Sequence, residues 1–78
     1  MKIRPDKNIG YNIQNARNKK GYTQEETVAK LQIMGIDISR STYAKIETNR
    51  MNIKVSELIA ISKLFNVDFN YLFNDIEL

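Results

Sequence analysis

Ser39, Arg40, Ser41 and Thr42 run consecutively, and Lys45 lies one helical turn past Ser41. They are the densest group of side chains able to do chemistry. Arg40 carries a planar fork of donors that can make two bonds to O6 and N7 of a guanine. Ser41 and Thr42 can donate or accept at most base edges or bond a phosphate, and a threonine methyl can meet thymine. Lys45 can reach a base or a phosphate. Plainer roles are open to each: a solvated charge for Arg40 and Lys45, local bonding to the backbone of a helix start for Ser41 and Thr42.

What the chain lacks narrows the field further. Its 78 residues include no His and no Cys. That removes the commonest general base and metal ligand, thiolate metal sites and disulfides. Carboxylates remain, but no pair stands out at a spacing suited to acid–base work, and there is no Gly-rich phosphate loop. The residue types suit recognition rather than catalysis: no enzyme, no cofactor and no metal site is expected.

Charge points toward a polyanion. The net charge is +3, with a pI near 9.3. Up to Lys20 the chain carries Lys2, Arg4, Lys7, Arg17, Lys19 and Lys20 against Asp6 alone; from Asn66 onward it carries Asp68, Asp75 and Glu77 and no base. One side is expected to face nucleic acid and the other to face away. Residues 1–7 read as a basic arm, either disordered without DNA or laid along the backbone or minor groove. Residues 8–78 read as one domain. Hydrophobic residues make up 42% and charged residues 27%, a globular rather than a disordered balance. No apolar run is long enough to span a membrane, and the first residues lack the apolar stretch of a signal peptide. A reducing cytoplasm fits this composition.

Helices must position these side chains. With one Pro and three Gly, the interior should be mostly helical. Asn8 can cap a first helix running to about Lys20, with Ile9, Ile13 and Ala16 inward and Gly21 as its left-handed stop. Thr23 opens a second helix, and Glu26 completes a capping box. Val28, Leu31 and Thr27 face inward there, and the apolar pattern continues through Ile33 and Met34 to Gly35, with Ile36 packing behind the stop. Ser39 caps a short third helix, Arg40 to Glu47, with Ile38, Tyr43 and Ile46 in the core or at its edge and Asn49 able to take a left-handed exit. Val55 to Phe65 is the most apolar helix, through Val55, Leu58, Ile59, Ile61, Leu64 and Phe65; it should be buried or share an interface. Asp68 caps a last short helix whose Phe69, Leu72 and Phe73 pack back. Five helices with short connections make an all-α domain. The second and third, joined across a Gly-containing turn, form a helix-turn-helix whose second helix enters the major groove.

At this point the chain resembles the lambda-repressor/Cro-like (XRE-like) helix-turn-helix family. The matching stretches are Ile9-Gly10, Lys19-Lys20-Gly21-Tyr22-Thr23-Gln24-Glu25-Glu26, Ser39-Arg40-Ser41-Thr42, Lys45-Ile46-Glu47 and Val67 through Phe73. The resemblance implies a compact five-helix bundle, DNA-binding transcriptional regulation and a homodimer on a pseudo-palindrome. It implies base contacts by Arg40, Ser41 and Lys45, and contact with base or backbone by Thr42. It implies phosphate contacts by Gln24, Asn49 and Arg50, and an internal ion pair between Arg17 and Glu47. The chain departs from the family pattern in three places. Ser39 follows Leu31 by eight positions, which is accommodated by an extra turn on the second helix through Met34 and a connection from Gly35 to Ile38. Thr27 and Val28 stand where the family prefers Leu and Ala. Ile53 replaces the usual Pro before the fourth helix.

The expected function is therefore a sequence-specific double-stranded DNA-binding regulator, read as a repressor. Its rival is a protein-interaction module on the same fold, such as an antitoxin, using the apolar fourth helix and the acidic tail to hold a protein partner. The expected dimer interface is the exposed part of the fourth helix and the C-terminal segment, including Phe69, Phe73 and Ile76.

Overall fold

The computed structural model describes residues 9–73. The Asn8 cap, the basic arm of residues 1–7, and Asp75, Ile76 and Glu77 lie outside them. Five helices follow in order: α1 (Ile9–Lys20), α2 (Gln24–Ile33), α3 (Arg40–Glu47), α4 (Val55–Phe65) and α5 (Phe69–Leu72). No strand occurs among the described residues. The all-α, five-helix architecture is the one expected.

Helix starts follow from short polar side chains that accept orphan backbone N–H groups. Thr23 Oγ1 accepts from Glu26 N at 3.0 Å, and Glu26 Oε1 accepts from Thr23 N at 2.9 Å, closing the capping box. Ser39 Oγ accepts from Thr42 N at 3.1 Å, and Asp68 Oδ1 from Tyr71 N at 2.8 Å. The start of α4, where Ile53 replaces Pro, is set by Glu57, whose carboxylate accepts from Lys54 N at 2.8 Å.

Four helices end the same way. Gly21, Gly35, Asn49 and Asn66 all have positive φ. In each case the N–H of the next residue reaches back to a carbonyl five positions earlier: Tyr22 to Arg17, Ile36 to Leu31, Arg50 to Lys45 and Val67 to Ser62. This is the left-handed stop that satisfies the last carbonyls of a helix. Helix α2 runs to Ile33 with Met34 as its cap residue, and the connection to α3 is pinned by Gln32 Nε2 donating to Ile38 O at 3.0 Å. The long α2–α3 segment is thus an ordered stop and a short link, largely exposed and anchored in the core by Ile38.

The core is Ile13, Ala16, Val28, Leu31, Ile38, Tyr43, Ile46, Ala60, Ile61, Phe65 and Leu72. Helix α1 packs on α3, α4 and α5, and α2 packs on α3 and α4. Thr27, in place of the family's Leu, is fully buried; its hydroxyl donates to Thr23 O at 2.9 Å, so no polar atom is stranded. Val28 is also buried.

Several apolar expectations are corrected. Ile33 does not continue the inward face of α2: it is 85% exposed, because it lies about 200° around the helix from buried Leu31. Met34 and Phe69 are exposed too, whereas the exposure of Val55 and Ile59 fits the alternative that α4 shares an interface. Helix α4 buries one side only, through Ala60, Ile61 and Phe65. Phe69 does not pack back as Leu72 does; it meets Phe73 edge-on, with ring centroids 6.5 Å apart. Phe73 is half-buried against the core.

Candidate nucleic-acid interface

Helix α3 divides cleanly around its axis. Tyr43, Ile46 and Glu47 are buried, whereas Arg40, Ser41 and Lys45 are exposed. The helical period puts the first set inward and leaves the second free to meet a partner. Thr42 is half-buried, and its Oγ1 accepts from the Ser39 hydroxyl at 3.0 Å while keeping its own proton to donate. Arg50 is exposed just past the helix end.

The inner face of α3 is held by polar contacts. Arg17 Nε donates to Glu47 Oε2 at 2.7 Å and Nη2 to Oε1 at 3.2 Å. Arg17 Nη1 donates to Tyr22 O at 2.8 Å. One guanidinium thus ties α1 to the end of α3 and to the link before α2. Hydrogen bonding to the Glu47 carboxylate holds the Arg17 guanidinium above its usual value and outweighs the opposing effect of burial. The Tyr43 hydroxyl is buried without a hydrogen-bond partner. Burial pushes its ionisation well above the ordinary tyrosine range, and neighbouring Glu47 adds to the shift.

Gln24 and Asn49, expected at phosphates, have internal bonds as well. Gln24 Nε2 donates to Glu47 Oε1 at 3.0 Å, which links the start of α2 to the end of α3. Its carbonyl oxygen and second amide proton remain for an outside partner. Asn49 Oδ1 accepts from Gly10 N at 3.0 Å. That leaves the Asn49 amide with donors for an outside partner, next to the N-terminal turn of α1.

Gly10 has a role that its place in a helix start alone did not reveal. A Cβ there would collide with the backbone carbonyl oxygens of Ile46 and Glu47. Glycine lets α1 touch the last turn of α3 backbone to backbone. The available signal was a glycine inside a helix, where it is disfavoured unless something must come close. Asn12 was also missed; its amide donates to Leu72 O at 3.0 Å and joins α1 to α5. Glu25 stands beside Arg40, with Oε1 3.5 Å from Nη1. Arg17, Thr23, Gln24, Glu25 and Arg40 line an open concavity between the starts of α2 and α3.

The arrangement offers exposed donors on α3, two partly engaged amides at its flanks and a rigid scaffold behind them. Such a surface can hydrogen-bond an outside partner. Among the described residues no helix is long and apolar enough to cross a membrane. A family model described as helix-turn-helix matches residues 13–72. That span takes in every expected site residue from Arg17 to Arg50. No curated protein and no solved structure matches the chain.

Proposed function

The chain belongs to the lambda-repressor/Cro-like helix-turn-helix family of DNA-binding regulators, and from that premise we propose that it binds double-stranded DNA sequence-specifically, with α3 in the major groove. The observation that carries this reading is the exposure of Arg40, Ser41 and Lys45 on a helix whose other face is locked into the core. Arg40, Ser41, Thr42 and Lys45 meet bases; Gln24, Asn49 and Arg50 meet phosphates. The internal bonds of Gln24 and Asn49 support this assignment, since each fixes the amide and leaves a donor over. Occupying an operator excludes other proteins from it, so the regulator acts as a repressor, in the cytoplasm where duplex DNA is met.

The regulator works as a homodimer. A single α3 of eight residues reads few base pairs, and a two-fold axis doubles the contact. Val55 and Ile59, one turn apart on α4 and both exposed, are the apolar surface offered to the second copy. The same residues would serve a protein partner if the chain were an antitoxin.

Selection of duplexes from a randomised pool, followed by sequencing, tests the proposal. A pseudo-palindromic motif, bound by two protomers in sedimentation, is the expected result. Recovery of duplexes with no common motif would contradict sequence-specific reading. One protomer per site at saturation would contradict the dimer.

A further inference from the structure

Arg40 is not alone at the start of α3. Its Nη1 lies 3.5 Å from Oε1 of Glu25, and the two side chains are 63% and 74% exposed. A solvated pair of this kind contributes little to folding. Glu25 is the second residue of α2, placed by its backbone. Thr23 and Glu26 close the capping box around it, and neighbouring Gln24 is bonded to Glu47. A carboxylate here is unfavourable next to a polyanion. If Gln24 meets a phosphate, the charge of Glu25 is close enough to repel that phosphate. Something must offset the repulsion, and the nearby cation is the guanidinium of Arg40.

A guanidinium presents five N–H donors in one plane. Contact through Nη1 leaves the Nε–Nη2 edge free, with two parallel donors that match O6 and N7 of guanine. Contact with the carboxylate also limits the rotamers of a long side chain before DNA arrives, which lowers the ordering cost of binding. We infer that Glu25 is a specificity-determining positioning residue: it holds the Arg40 guanidinium ready for a guanine, and its charge disfavours every other duplex. The inference rests on the base-reading role of Arg40 proposed above. It makes Glu25→Gln a substitution with two effects of opposite sign. Affinity for unrelated DNA rises because a repulsive charge is gone. Preference for the guanine-bearing site falls because Arg40 has lost its support.

The test is fluorescence anisotropy with the full chain on three duplexes. One is the duplex recovered by selection with the wild-type chain, the second its guanine-to-adenine single variants, the third an unrelated duplex of equal length. The proteins are wild type, Glu25→Gln, Arg40→Ala and the double variant, each checked for helix content by circular dichroism. Glu25→Gln is expected to bind the unrelated duplex more tightly and to lower preference for the selected duplex by roughly two- to fivefold, the scale of an exposed ion pair. In the Arg40→Ala background the same substitution should leave preference unchanged. If Glu25→Gln keeps full preference while Arg40→Ala loses it, Arg40 reads its base unaided, and the role of Glu25 is overturned while base reading stands. If Glu25→Gln lowers preference in the Arg40→Ala background too, Glu25 acts on the DNA itself, and the positioning role is again overturned. If Arg40→Ala keeps the preference of the wild type, both fall together.

Discussion

Glu47 receives donors from Arg17 Nε, Arg17 Nη2 and Gln24 Nε2 on its two oxygens, and its side chain is only 2% exposed. Removing one member of such a group leaves the others buried and uncompensated, which costs more than the pair contributes. Arg17→Ala is therefore expected to destabilise the fold by about 3–5 kcal/mol in urea unfolding. Arg17→Met combined with Glu47→Leu should recover most of that loss, because apolar residues of similar volume need no partner. If the double variant is no more stable than Arg17→Ala, the loss does not come from an uncompensated charge. Tyr43 behaves differently. Its hydroxyl lies beside Glu47 and Arg17 without a well-formed hydrogen bond, so Tyr43→Phe should change stability by less than about 1 kcal/mol near neutrality. Its folded ionisation lies above the unfolded value of 10.0. The folded chain holds this proton where the unfolded chain releases it, so the contribution is full below the unfolded value and is lost as pH rises above it. Urea midpoints from about pH 8 to about pH 11 should fall less steeply for Tyr43→Phe than for wild type. Parallel curves would show that Tyr43 ionises as freely in the folded chain as in the unfolded one.

Helix ends are local, and that is why they could be read in advance. Gly21, Gly35 and Asn49 sit at left-handed stops, and Thr23, Ser39 and Asp68 cap the helices that follow them, because each depends on atoms within about one turn of its own residue. The division of α3 into an exposed Arg40–Ser41–Lys45 side and a buried Tyr43–Ile46 side agrees with what the Ser39 cap, the apolar spacing and the family resemblance together led one to expect. Contacts across the fold could not be read this way. Asn12 meets a carbonyl of α5, Gln24 meets the end of α3, and Glu25 meets Arg40; nothing in local pattern selects those partners. Nor does an apolar type say whether space exists to bury it, which is why Ile33 and Phe69, expected inward, are exposed, and why pattern alone left α4 as either buried or an interface. Gly10 is the sharpest case. It closes the α1–α3 junction, with its N–H on Asn49 and no room for a Cβ. Gly10→Ala should force the two helices apart at a cost of about 1–3 kcal/mol or more and shift the amide resonances of α3. Gly21→Ala should cost about 1–2 kcal/mol for its left-handed backbone, with α3 undisturbed, since nothing lies near its Cβ position. Equal disturbance of α3 by both would show that the close approach at Gly10 has no special part in placing the helix.

At the scale of the whole molecule, a basic chain meets a polyanion, and the proposed contacts separate by their response to salt. Arg50 lies exposed beyond α3 and is assigned to a phosphate, so Arg50→Ala should weaken binding to all duplexes about equally and flatten the log–log salt slope by about one unit. Gln24→Ala should weaken all duplexes too, with little change of slope, because a neutral amide releases no counterion. A slope unchanged in Arg50→Ala would remove Arg50 from the phosphate contacts. The central claim is that the exposed side of α3, and no other surface, reads the DNA. Titration of the nitrogen-labelled chain with its selected duplex, followed through the amide resonances, tests it most directly. The predicted result is that the largest changes fall on Arg40, Ser41, Thr42 and Lys45, with Gln24, Asn49 and Arg50 as a second group. Resonances of α3 that stay in place while the duplex is bound would contradict it.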